Sequence, residues 1–325
     1  MAKIILDFEK ELSVIEAQIR DLREREKIYG ENHNAQIHIL ELEFDELVKK
    51  TYANLNRWQR VQLARHPDRP YTLDYINRIT DSWTELHGDR RFADDPAIVA
   101  GIAQIAETGV VIIGHQKGRN VKENMVRNFG MPQPEGYRKA LRIMKLAEKF
   151  HKPIITFIDT PGAYPGLGAE ERGQGEAIAR NLFEMSRLRV PILNIVIGEG
   201  ASGGALGIGV GDRLIMLEHT WYSVITPEGC ASILFRDAGR ASQAAEAMKV
   251  TAKDLFDMGI ADKVIPEPLG GAHRNPEEMA AVLKDVILEE LAGLQALTIE
   301  ELVNRRLDKY SQIGFYDETK TQWEK

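Results

Sequence analysis

Only one cysteine, Cys230, occurs in the 325 residues. No intramolecular disulfide can form, and no Cys-rich metal site can be built from this chain alone. The eight histidines are scattered and never form an H-E-x-x-H pair, the zinc-hydrolase pattern. Basic residues are outnumbered, and the net charge of -7 argues against nucleic acid as the principal partner, since phosphate binding needs a basic face. No apolar run suits a membrane span. The most apolar stretch, Val190 to Val210, is interrupted by Glu199 and carries six glycines and Ser202, a composition that fits a strand, loop and helix. The first ten residues turn acidic after three apolar ones, so they hold no signal-peptide core. Nor does any repeat recur at periods of about 20 to 50 residues. These gaps predict a soluble protein of a reducing compartment.

What is present is ordinary for a globular chain: 43% hydrophobic and 28% charged residues, enough for one large α/β domain or two modest ones. Phe8, Leu12, Ile15, Ile19 and Leu22 fall on one helical stripe. After a break at Gly30 to Asn34 the stripe resumes with Ile37, Leu40, Phe44 and Leu47. A helical hairpin with a narrow apolar seam is predicted, buried on the chain's own core or against another subunit. His66-Pro-Asp-Arg-Pro70 stops the helical pattern. Short apolar runs follow at Ile98 to Ile105, Val110 to Ile113, Ile154 to Ile158, Ile192 to Ile197 and Leu214 to Leu217. Helical patterns lie between them, on Tyr137, Ala140, Leu141, Met144 and Ala147, and on Ile178, Leu182 and Met185. Doubly buried strands alternating with helices indicate α/β architecture. Near the C-terminus, Met279, Val282, Leu283, Val286, Ile287, Leu291 and Leu294 predict one amphipathic helix.

Two segments share a design of buried strand, small residues and helix: Ile154 to Gly166, and Ile192 to Leu206. Glycine there lets the backbone bend and lets a ligand approach amide N–H groups. Those amides lie at a helix start, where donors lack partners and the dipole favours negative charge. Two converging on one oxygen would form an oxyanion hole. The second segment also fits a dinucleotide turn, Gly198-Glu-Gly200-Ala-Ser-Gly203, and a serine-nucleophile elbow, Gly200-Ala-Ser202-Gly-Gly204. Asp212, His219 and His273 are the paper partners of such a serine. In the oxyanion reading the donors are the amides of Gly203, Gly204 and Ala205, with Ser202 helping to cap the helix. Close helix–strand packing is the purely structural alternative.

Ile158-Asp-Thr-Pro-Gly-Ala-Tyr-Pro-Gly-Leu-Gly-Ala-Glu-Glu-Arg-Gly-Gln174 resembles, almost letter for letter, the alpha-subunit family of multi-subunit acetyl-CoA carboxylase carboxyltransferases. So do Gly198-Glu-Gly-Ala-Ser-Gly-Gly-Ala-Leu206, Gly209 to Arg213, Tyr222 to Cys230 and Glu267 to Arg274. His66 to Tyr75, Arg127 to Pro132 and Pro134 to Arg142 match as well. One departure is Ala201, where the family is expected to carry glycine; the change adds a methyl group and removes no N–H donor.

The resemblance implies a crotonase-like superhelix of ββα units, with a helical region over 1–75, a core over 76–266 and C-terminal helices over 267–325 as a subunit contact. The family's carboxyltransferase domain as usually drawn would run over about 36–295. It implies carboxyl transfer from carboxybiotin, borne by the biotin carboxyl carrier protein, to acetyl-CoA, giving malonyl-CoA for fatty acid synthesis. The implied partners are a beta subunit in an α2β2 assembly, carrying any zinc, and biotin carboxylase in the wider complex. The implied setting is the cytoplasm, or a plastid stroma. Gly203 and Gly204 would hold the biotin ureido oxygen, with Gly162, Ala163 and Tyr164 shaping the pocket. Lys117, Arg119 and Lys122, with Arg127 nearby, form a basic run that would meet CoA phosphates or be a solvated loop. Asp159, Glu170, Glu171 and Arg172 read as ion-pair residues, and His38, His115, His151, His219 and Cys230 as packing residues. A stand-alone crotonase-fold hydratase or hydrolase, and a non-enzymatic scaffold, are the rivals.

Overall fold

A computed structural model describes residues 4–314; residues 1–3 and the last part of the expected C-terminal region, 315–325, lie outside the described residues. Four helices open the chain: α1 (Lys10–Tyr29), α2 (Asn34–Ala53), α3 (Arg57–Ala64) and α4 (Thr72–Ile79). Then come β1 (Ser82–Glu85), β2 (Ile98–Ile105), β3 (Thr108–His115), α5 (Val121–Val126) and α6 (Pro134–Lys149). The centre holds β4 (Ile154–Thr160), α7 (Leu167–Glu171), α8 (Gln174–Met185), β5 (Ile192–Ala201) and α9 (Ser202–Leu206). Next are β6 (Arg213–Leu217), β7 (Trp221–Ser223), α10 (Pro227–Phe235), α11 (Ala241–Met248) and α12 (Ala252–Asp257). The chain closes with β8 (Lys263–Ile265), α13 (Pro276–Gln295) and α14 (Ile299–Ser311).

The strands form one mixed sheet in the order β1-β2-β3-β4-β5-β6-β8, with β7 pairing the end of β5. β1, β2 and β3 are antiparallel neighbours, and every later pairing is parallel. All five apolar runs read from the sequence lie in strands. The three-residue β7 and β8 and the half-exposed β1 escaped notice, because they are too short for periodicity to register. Successive residues of β4 and β5 enter opposite cores. Ile154, Ile158, Ile192 and Val196 meet Tyr137, Met144 and Met185 on one face, whereas Ile155, Phe157, Leu193 and Ile195 meet Ile76, Met279, Leu283 and Ile287 on the other. This two-sided burial explains why the runs are continuously apolar.

The N-terminal stripe forms the predicted hairpin, turned at Gly30 with φ +70°. Its seam closes on Leu12, Val48, Tyr52, Leu55 and Leu63 of the same chain. On α13, Met279, Leu283, Ile287, Leu291 and Leu294 are buried, while Val282 turns outward. The apolar face of α13 is thus spent on the chain's own core, and α14 is anchored there too. Arg306 of α14 is buried, and all five of its N–H donors are used: two on Asp212 (2.8 and 2.7 Å) and three on the carbonyls of Met185, Leu188 and Val190 (2.8, 2.8 and 2.9 Å). Asp212 also accepts from the Ile192 N–H at the start of β5. Removing the cation would strand a buried carboxylate. Arg306→Met is expected to lower stability by about 3–5 kcal/mol in urea unfolding; a loss below about 1 kcal/mol would show that α14 does not anchor the core.

Candidate active site

The two glycine segments meet at the C-terminal ends of β4 and β5. A Cβ placed on Gly204 would lie 2.2 Å from the Gly162 carbonyl carbon and 2.4 Å from the Ala163 nitrogen. Backbone therefore presses on backbone, and only glycine fits at 204. Gly162, at φ +151°, needs glycine for its conformation rather than for space. Gly203 differs: a Cβ there would meet only Ile178, at 3.4 Å, an ordinary contact. A Gly204→Val side chain would therefore force the two segments apart and cannot probe chemistry with the fold intact.

The Gly204 carbonyl accepts two side-chain hydrogen bonds, from His115 Nε2 (3.2 Å) and the Tyr137 hydroxyl (3.2 Å). His115 Nδ1 in turn accepts from the Asp159 N–H at 3.4 Å, which fixes a neutral tautomer. Burial pushes His115 down to about 3, helped by the charge of Lys117. One imidazole thus bridges the end of β4 to the start of α9. His219 is also buried, but His38 and His151 are exposed, so their reading as packing residues fails. Cys230 is half-buried.

Beneath this bridge lies a charged cluster. Lys117 places its ammonium 2.7 Å from Asp159 and 2.9 Å from Glu199. Arg65 adds a contact to Glu199 at 2.7 Å and one to Glu228 at 2.6 Å. Burial opposes the Glu199 charge, but Lys117 and then Arg65 hold its carboxyl below the usual range; burial wins at Asp159, which is pushed up despite Lys117. Burial opposes the Lys117 charge too, yet the two carboxylates push its ammonium up. Lys117 is a half-buried structural cation held by two buried carboxylates, not the free phosphate ligand its place in a basic run suggested. Arg119 is engaged as well, on Asp74 and on the carbonyls of Pro67 (2.6 Å) and Arg69 (2.9 Å), with its guanidinium over Tyr71. Arg119 and Lys122 are both exposed, and of the three only Lys122, on α5, has no ion-pair or hydrogen-bond partner among the described residues. Asp159 fits the ion-pair reading, in the interior. Arg172 pairs with Glu135, whereas Glu170 and Glu171 are exposed.

A cavity of about 470 Å³ opens beside the second segment, lined by Ser202, Gly203, Leu206, Tyr222, Val224 and Met258, with Met248, Val250, Leu255 and Ile260. Of the residues expected around a pocket, Gly203 is on this wall. Gly162 and Ala163 support it from behind through Gly204, and the Tyr164 ring stacks over Gly166 instead. The aliphatic lining comes from β7, α11 and α12, far along the chain from the glycines, and no local motif marks it. α9 has only five residues, so the helix dipole contributes little and its unpartnered N–H groups act as local donors.

Ser202 has φ +59°, and the cap position is Ala201 with no side-chain bond; the expected capping role is not seen. The proposed serine partners are all engaged elsewhere. Asp212 serves Arg306, His219 Nδ1 contacts Arg60, and His273 stacks on His66. Among the described residues, no group of three or more His, Cys, Asp or Glu could hold a metal ion. No described helix is long and apolar enough to cross a membrane.

A mixed sheet whose crossover strands end in touching glycine turns defines a class. Solved structures place this chain in the fold shared by acyl-CoA carboxyltransferases and their crotonase-like neighbours. The transcarboxylase 12S core aligns with a TM-score of 0.53 at 21% identity over 66% of this chain and 41% of that one. A Pseudomonas malonate decarboxylase hetero-tetramer, solved with coenzyme A, aligns with a TM-score of 0.59 at 16% identity over 74% of this chain and 94% of that one. The chain itself belongs to the acetyl co-enzyme A carboxylase carboxyltransferase-like family, whose pattern matches residues 5–314. It is similar to the acetyl-coenzyme A carboxylase carboxyl transferase subunit alpha of Chlorobium limicola, 57% identical over 97% of this chain and 99% of that protein. The subunit of the same name from Salmonella dublin is also 57% identical, over 97% of this chain and 100% of that protein.

Two outcomes follow from the glycine contacts. Gly203→Ala should leave thermal unfolding nearly unchanged, whereas Gly204→Ala should destabilise by at least about 3 kcal/mol, beyond ordinary overpacking; equal effects would refute the backbone contact. His115 gives a pH dependence. Its folded value of about 3 lies below the unfolded 6.5, so its contribution is complete above 6.5 and is lost as pH falls toward 3. Urea titrations of His115→Gln should show a shallower decline across that window, by up to about 1.4 kcal/mol per pH unit. An unchanged slope would mean that His115 is protonated in the fold.

Proposed function

We propose that this chain is the alpha half of an acetyl-CoA carboxylase carboxyltransferase, and that its aliphatic cavity receives the biotin of a carboxylated carrier protein. The observation that carries this reading is the Gly203 wall: backbone donors at the edge of an aliphatic cavity, held rigidly by the Gly204 contact behind them. The cavity's size and lining suit a fused bicyclic ring with one polar edge. Carboxybiotin, when bound, would supply the carboxyl group that passes to the acetyl methyl carbon of acetyl-CoA to give malonyl-CoA, its ureido nitrogen taking the methyl proton in exchange.

The chain's own part is electrostatic. The amides of Gly203 and Gly204 would face the ureido oxygen as charge develops there on loss of the carboxyl group. A preorganised donor of this kind contributes roughly 3 kcal/mol to the transition state. Backbone amides do not titrate, so they serve at any pH at which the fold survives. The His115 and Tyr137 bonds to the Gly204 carbonyl fix the next peptide plane and with it the Ala205 N–H. No side-chain base on this chain enters the scheme. The acyl-CoA would be bound by a homologous beta subunit in an α2β2 assembly, which also carries any zinc. Lys117 is consumed inside the chain, so of the three residues first assigned to CoA phosphates only Lys122 stays free to reach them.

The test is the reverse reaction, malonyl-CoA-dependent carboxylation of biocytin, run with this chain alone and with its beta subunit. Activity is expected only in the mixture. Gly203→Val, which crowds the Gly203 wall from the side of Ile178 while keeping the backbone contact at Gly204, should reduce it on the order of a hundredfold without loss of assembly. Ser202→Gly, which suits a left-handed φ, should retain full activity. Loss of activity in Ser202→Gly together with fluorophosphonate labelling of Ser202 would replace this reading with a serine hydrolase.

A further inference from the structure

Away from the glycine segments, α6, α8 and the loop before β2 enclose a cavity of about 510 Å³ lined by Arg90, Arg91, Arg138, Arg142, Lys145 and Arg180. Six cations on one cavity are unexpected in a chain of net charge -7. Three carboxylates share the lining, and two of them are already spoken for. Asp89 takes the Arg138 guanidinium at 2.9 Å and three backbone N–H groups; Glu184 takes Lys145 at 2.7 Å and Arg180 at 2.5 Å. Glu176 stays exposed on the rim.

Arg90, Arg91 and Arg142 have no carboxylate partner among the described residues. Arg142 is half-buried, its guanidinium donating only to the carbonyls of Gly88 and His87, both at 3.1 Å. Burial first, and then the charge of Arg90, hold it below its ordinary value. Arg90 has φ +64°, a backbone that favours glycine, yet an arginine is kept there. The cavity also reaches Asn181, which is 1% exposed. Its Nδ2 donates to the carbonyls of Tyr137 (3.0 Å) and Gly207 (2.9 Å), which fixes the amide orientation and leaves Oδ1 buried without a protein partner.

We propose that this cavity binds a small molecule bearing a di- or polyphosphate group, held by the forks of Arg90, Arg91 and Arg142, with a ligand N–H or O–H meeting Asn181 Oδ1. Planar guanidinium forks match phosphate oxygens two at a time, and three around one cavity exceed what a single carboxylate needs. A ligand here would also touch the elements that hold the second glycine segment: α6 carries Tyr137, and α8 carries Ile178 and Asn181.

Calorimetric titration of the full chain with inorganic pyrophosphate and with ADP tests the site and separates its two sources. Both should bind, more weakly as salt rises, and ADP at least tenfold more tightly than pyrophosphate. The double variant Arg90→Gly, Arg91→Ala changes exposed residues and keeps the left-handed turn; it should lose at least tenfold in affinity for both with unchanged thermal unfolding. Arg142→Lys, which keeps the charge but not the fork, should lose severalfold. Equal affinity for ADP and pyrophosphate would overturn the Asn181 contact. No binding by the unaltered chain, or undiminished binding by the double variant, would overturn the site.

Discussion

Lys117, with its ammonium held between the buried carboxylates of Asp159 and Glu199, makes the interaction around which the candidate-site end of the sheet is arranged. Asp159 lies near the end of β4, Glu199 near the end of β5, and Lys117 just beyond β3. Three neighbouring strands are therefore joined at one point. Asp159 Oδ1 also accepts the Glu199 N–H at 3.2 Å, so the tie runs through backbone as well as charge. A buried ion cluster adds little net stability, because desolvation offsets most of the Coulomb attraction. What it imposes is geometry, since any displacement leaves a charge unpaired at a cost of several kcal/mol. The strand ends are held in one relative position, and the glycine turns that follow them are brought into contact.

That contact accounts for much of what surrounds it. With no room for a Cβ at 204, the backbone of the second turn rests directly on Gly162 and Ala163. His115 and Tyr137 then fix the Gly204 carbonyl from the other side. The result is a set of amide donors with little freedom to reorient, which is what electrostatic preorganisation requires. Under the proposed reading, amides that open onto the neighbouring, mostly apolar cavity would act more strongly there than in water.

The periphery is tied to this centre by long-range ion pairs. Arg69, wholly buried, joins the loop after α3 to Glu267 at 2.7 Å and to the Ile197 carbonyl of β5. Burial opposes the Glu267 charge, but Arg69 holds its carboxyl down to about 2. Glu9, at the foot of α1, receives the Tyr52 hydroxyl at 2.5 Å and lies beside Arg274 at 3.4 Å. The N-terminal hairpin is thus fastened to the segment that leads into α13, and α14 is fastened by Arg306. Both helical ends, which local pattern alone would allow to be separate modules, are parts of one body.

The amino-acid sequence by itself determined the alternation of strand and helix, the position of the hairpin and the two glycine turns. Those features rest on local rules: periodicity, backbone freedom at glycine, and the exclusion of long apolar runs. The segments from Ile158 to Gln174 and from Gly198 to Leu206 even carried the family. Tertiary structure alone decided which charges are free. Lys117, Arg119 and Lys122 look alike on paper, yet one is held between two buried carboxylates, one is bound to Asp74 and two carbonyls, and one has no partner among the described residues. It alone showed that Gly203 and Gly204, adjacent and identical, do different things. It also assembled the cavity wall from β7, α11 and α12, residues separated from the glycines by about twenty to sixty positions. Such facts depend on which surfaces meet across the chain, and solvation, sterics and pairing at those surfaces have no local signature.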